Sequence, residues 1–179
     1  MSEKSEKSYS FVFEAKKIGE YSESSLHRAL KMRYADSGSA FEVSKNGKII
    51  DLVTSKGICV EVQTGSFGAI RGKIVTLAKT EPVILVHPIF VKKTIVTLEP
   101  GGEIRSERSS PKKETIYSAF NELVYAPDLI GLKNLTIDLC FVHVRDIRVN
   151  DGKGSWRRKG ISSLDRELVE VRETKRLKT

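Results

Sequence analysis

Residues 50–68 read IDLVTSKGICVEVQTGSFG, two apolar β-like runs joined by Ser55-Lys56-Gly57. A three-residue connection ending in glycine is the composition of a bulged hairpin turn, with the glycine in the left-handed conformation. Closed symmetrically about Lys56, the hairpin sets Thr54 opposite Ile58, Val53 opposite Cys59, Leu52 opposite Val60 and Asp51 opposite Glu61. Directly opposed residues share a sheet face, with Cβ atoms about 4.5–5.5 Å apart. A bulge at Gly57 that slips the register by one still leaves the two carboxylates as neighbours. Gln63, two residues beyond Glu61, falls on the same face.

Two like charges held this close in a low dielectric are unfavourable unless one carboxyl keeps its proton or a cation binds. Mg²⁺ (or Mn²⁺) suits such a pair, because a hard cation takes a couple of carboxylates together with water and phosphate oxygens. The competing expectation is a pair at the end of the sheet, each acid neutralised by a nearby Lys or Arg. The apolar neighbours Ile50, Leu52, Val60 and Val62 favour a covered hairpin over that.

Working outward, Asn46-Gly47 separates residues 41–44 from residues 49–54, and Asn-Gly between β-like runs marks a tight hairpin. The two hairpins make a three-stranded meander. Serines and good helix formers over residues 22–34 predict a helix before it. Phe67, Ile70, Ile74 and Leu77 predict a helix over 65–79 after it. The continuous apolar run at 83–88 predicts a buried strand, and 94–98 a separate one. Residues 103–113 are charged and read as a mobile loop, 115–125 as a helix, 135–144 as a strand and 163–175 as a closing helix. The expected class is therefore α/β, a mixed sheet flanked by helices in the order α-β-β-β-α-β. It divides into a tail over 1–19, a core over 20–98 and an α/β extension over 99–179 packed on the same domain.

A helical Glu, an Asp on a hairpin strand, an acid two residues before a polar position on the next strand, then a helix and a buried strand: this order resembles the PD-(D/E)XK nuclease superfamily. The resemblance covers residues 20–88. It implies a restriction-endonuclease-like core and Mg²⁺-dependent hydrolysis of DNA. Carried over by residue, Asp51 and Glu61 match the metal-binding acids, with the Val62 carbonyl as a further metal ligand. Gln63 stands where the family usually has lysine, and Lys73 on the following helix is the candidate to replace it. Glu23 matches the helical Glu, with Glu20 in competition. The loss of lysine at Gln63 keeps open an alternative, a catalytically impaired nucleic-acid-binding module. His27, one turn after Glu23, can approach the same site. The resemblance also admits a homodimer.

The chain has 179 residues and a formal charge of +8, which favours a polyanionic partner; the resemblance implies that this partner is nucleic acid, most simply DNA. Lys153, Trp156, Arg157, Arg158 and Lys159 interleave cations with an aromatic ring between glycines, a composition suited to phosphate contact and base stacking. Arg105, Arg108, Lys112 and Lys113 form a second, more diluted cluster. Cys59 and Cys140 lack metal-ligand or disulfide-framework spacing and read as core residues. His87 and His143 read as core histidines. No run approaches the length of a membrane span, and the start lacks a signal-like apolar segment, so the expectation is a cytoplasmic protein without membrane association.

Overall fold

A computed structural model describes residues 23–154, 156 and 160–178. The expected tail over 1–19, and Glu20, Arg157, Arg158 and Lys159, lie outside the described residues. Helix α1 (Ser25–Met32) begins where the Ser24 hydroxyl accepts from His27 N, a serine N-cap. The meander follows as β1 (Ala40–Lys45), β2 (Lys48–Val53) and β3 (Cys59–Val62). Asn46 and Gly47 both take positive φ, 50° and 69°, as a two-residue turn matched to strand twist requires. Helix α2 (Phe67–Leu77), capped by the Ser66 hydroxyl, leads to β4 (Val83–Leu98). Then come β5 (Ile104–Ser109), α3 (Tyr117–Val124), a single 3-10 turn, β6 (Leu135–Asn150) and β7 (Ile161–Lys178).

The strands form one mixed sheet in the order β1-β2-β3-β4-β6-β7, with β5 also paired to β4. Strands β3, β4 and β6 run parallel, and the others pair antiparallel. One face is packed by α2, α3 and the 3-10 turn through Phe67, Ile74, Leu77, Leu85 and Ile137. The opposite face is packed by α1 through Leu26 and Leu30 against Leu52, Val60, Val86 and Val142. Phe67 is fully buried and meets the His87 ring edge-on. Its replacement by Ala is expected to lower unfolding free energy by about 3–5 kcal/mol in urea titration.

Three expectations are corrected. Residues 83–88 and 94–98 belong to one strand, β4, which runs straight through Pro88. The Cys59 and Gln63 amides donate to the Pro82 and Val86 carbonyls, so even-numbered residues of β4 face β3. Pro88 continues that alternation past Val62, the last residue of β3 paired to β4, where no ladder amide is required. The charged segment at 103–113 contains strand β5, wholly exposed and paired to β4 at its far end. The expected closing helix at 163–175 is strand β7, paired along β6. Its Glu, Lys and Arg residues suit an exposed edge strand, which charge protects from further pairing.

Candidate active site

The sequence-derived register holds: Leu52 pairs with Val60 and Val53 with Cys59. One step further the backbone ladder stops and the acids take its place. Asp51 Oδ2 accepts the Val62 amide at 2.9 Å, and Glu61 Oε1 accepts the Asp51 amide at 3.2 Å. Each carboxylate thus bonds the opposite strand's backbone, and the hairpin splays where the two acids meet. The gap is reached from both faces of the sheet.

From the α1 face, His27 Nε2 lies 3.2 Å from Asp51 Oδ2, and His27 Nδ1 bonds Glu23 Oε1. Glu23 Oε1 also holds the nearly buried Lys31 ammonium at 2.7 Å. From the α2 face, Lys73 Nζ approaches Glu61 Oε1 at 2.5 Å. The result is a row of alternating charge, Lys31–Glu23–His27–Asp51, continued by Glu61–Lys73.

Glu61 is 1% exposed, and burial together with the Asp51 charge holds its carboxyl above the usual range despite Lys73. Burial also acts to raise Asp51, but its bonds to His27 and the Val62 amide bring it below the ordinary value. Glu23 behaves in the same way, burial being outweighed by Lys31 and His27. Burial opposes charging of His27, yet hydrogen bonds to Asp51 and Glu23 raise its pKa above 6.5. An imidazole between two carboxylates donates from both nitrogens, which requires the charged ring.

A raised histidine contributes stability that is fully present below its unfolded value and is lost as pH rises through the folded one. Stability of the wild-type protein is therefore expected to fall as pH rises from 6.5 through that value. His27→Gln should remove this segment of the profile, measured by urea unfolding across the pH range.

Of the residues singled out from sequence, Glu23, His27, Asp51, Glu61 and Lys73 come together, and Val62 joins them through its amide. Gln63 does not: its Nε2 donates to the Ser66 carbonyl at 2.6 Å, tying it to the turn into α2. Its backbone carbonyl accepts from His87 Nδ1 at 2.7 Å, which gives that buried histidine a partner. His143 pairs with the Thr94 hydroxyl at 3.2 Å, and both cysteines are buried and free. Lys153 and Trp156 are exposed between β6 and β7, Trp156 at 83%. The expectation of a helical Glu is corrected, since Glu23 precedes the Ser24 N-cap and reaches His27 and Lys31 of α1 from outside the helix; Lys31 was missed, although the three follow one another at four-residue intervals.

Among the described residues, no group of three His, Cys, Asp or Glu side chains is arranged to hold a metal ion. The side-chain oxygen donors present are those of Asp51 and Glu61, whose closest contacts, to the Val62 amide, His27, the Asp51 amide and Lys73, are made through Oδ2 and Oε1. Two hard carboxylates, with water completing the shell, fit Mg²⁺.

Fold and site define a mixed α/β protein with paired acids and a lysine at the end of a central parallel strand. A family model described as "Domain of unknown function (DUF8091)" matches residues 24–178, and the chain belongs to that family. An uncharacterized protein of Treponema pallidum (strain Nichols) is 35% identical over 149 residues, 83% of this chain. The aligned part is 59% of that relative's length. No solved structure matches. Among the described residues no helix is long and apolar enough to cross a membrane.

Proposed function

We propose that the chain hydrolyses phosphodiester bonds in DNA with Mg²⁺, on a restriction-endonuclease-like core. The observation that carries the reading is the meeting of Asp51, Glu61 and Lys73 at the splayed end of β3. Asp51, Glu61 and the Val62 carbonyl would hold the ion. When bound, Mg²⁺ supplies an activated water and neutralises charge on the phosphoryl group.

The remaining work falls to side chains. His27 and the Val62 amide keep Asp51 ionised at neutral pH. Lys31 and Glu23 hold His27 from behind, fixing its ring against Asp51. Lys73, donating to Glu61, has further ammonium hydrogens to offer a phosphate oxygen as negative charge builds up. It takes the position on α2 that compensates for glutamine at residue 63.

A second reading, nucleic-acid binding without cleavage, is favoured by one observation: the Gln63 amide is committed to the Ser66 carbonyl, away from the acids. Incubating the purified protein with plasmid, linear, branched and single-stranded DNA, and with RNA, under Mg²⁺ or Mn²⁺ separates the two. The first reading expects metal-dependent DNA cleavage by the wild type. Retained binding without cleavage by wild type, or cleavage gained only in Gln63→Lys, selects the second.

A further inference from the structure

Strand β3 covers one edge of β4 only as far as Val86. Beyond it, residues 110–114 run along that edge, with Ser110 N donating to Lys93 O and Glu114 N to Phe90 O. There a cavity of about 260 Å³ is lined by Lys92, Lys93, Lys113 and Arg172 with the hydroxyl-bearing Ser109 and Ser110. The side chains of Lys92, Lys113 and Arg172, from β4, the 110–114 segment and β7, come together there with the two hydroxyls, while Lys93 borders the cavity and turns its ammonium toward Phe90. Among the described residues none of the three lysines forms an ion pair.

The acids nearby are already engaged. Glu114 accepts the Phe90 amide at 3.0 Å, Asp146 is held by Arg148 and Arg166, and Glu170 lies 3.7 Å from Arg172. Lys93 is half-buried, its ammonium 4.9 Å from the Phe90 ring centre, and burial with Arg166 lowers its pKa despite Asp146 and Glu114.

We propose that this cavity seats a backbone phosphate of nucleic acid. Taken with the cleavage reading, on which this further step rests, it sets a direction for the substrate. Val86, the partner of Val62, pairs with Asp138 and Lys93 with Val144, so with the bulge between Phe90 and Lys92 the two lie six strand steps apart, about 20 Å at 3.3 Å per residue. That is the rise of about six base pairs of duplex. A strand cut at the acids would thus be held again at Lys93 and Lys113.

The test is fluorescence anisotropy with a labelled DNA duplex in EDTA, over a salt series, so that neither metal nor cleavage enters. The combined Lys93→Gln, Lys113→Gln, Arg172→Gln variant should bind at least about tenfold more weakly, with a salt slope shallower by about 0.9 for each phosphate no longer neutralised. Lys113→Glu, a charge reversal at an exposed position, should weaken binding without disturbing the fold. Unchanged affinity and slope in both variants would overturn the proposal. So would a wild type that binds inorganic phosphate in this cavity but no duplex. Wild-type duplex binding that both variants weaken, in a protein that cleaves no DNA under Mg²⁺, would leave this site standing and overturn the cleavage reading alone, so the two failures are read separately.

Discussion

Asp51→Asn is expected to lower Mg²⁺-dependent DNA cleavage by on the order of 10³-fold or more, while leaving a folded protein. The change keeps the side chain's size and an oxygen able to accept the Val62 amide, which Asp51 now binds at 2.9 Å. It removes the charge that, with Glu61, would hold the ion. Several kcal/mol of charge stabilisation at the phosphoryl group depend on that ion. At 1.36 kcal/mol per decade, this becomes thousands-fold in rate. Initial rates with a labelled duplex, beside circular dichroism of both proteins, check it. Equal rates for the two proteins would remove Asp51 from the chemistry.

The second large effect concerns stability. Lys73→Met takes away the ammonium 2.5 Å from a carboxylate that is 1% exposed. A buried charge that loses its partner destabilises by about 3–5 kcal/mol. Glu61 already titrates above 4.5, and without Lys73 it should rise further. An acid with a raised folded pKa binds more protons folded than unfolded between the two values, so stability falls as pH increases through that window. The loss in Lys73→Met should therefore be small near pH 4.5 and largest above the new folded pKa. Adding Glu61→Gln should restore most of it. A Lys73→Met loss that is flat with pH would mean that Lys73 contributes packing rather than charge.

Legibility in the sequence followed how local the determining physics is. The meander could be read because Asn46-Gly47 and Ser55-Lys56-Gly57 specify their own turns, and these fix the register that brings Asp51 to Glu61. Helices α1 and α2 carry their caps, Ser24 and Ser66, in the adjoining sequence. Strand β7 was not legible, because its Glu, Arg and Lys residues suit a solvated helix equally well. Only the long partner β6 makes it a strand. Strand β5 likewise exists because the far end of β4 offers it an edge. In the site, Gln63 was placed by strand alternation, but the chain leaves the strand at Val62, and the side chain turns to Ser66 instead. Lys31 went unnoticed because lysine at a helix end reads as surface, whereas Glu23 draws its ammonium inward.

In the proposed mechanism Asp51 and Glu61 share a divalent ion. Calorimetric titration of Mn²⁺ into the metal-free protein, beside Asp51→Asn and Glu61→Gln, tests it most directly. Saturable binding by the wild type, severely weakened by either substitution, is expected. Absence of saturable binding by the wild type, or binding that both substitutions leave intact, would contradict it.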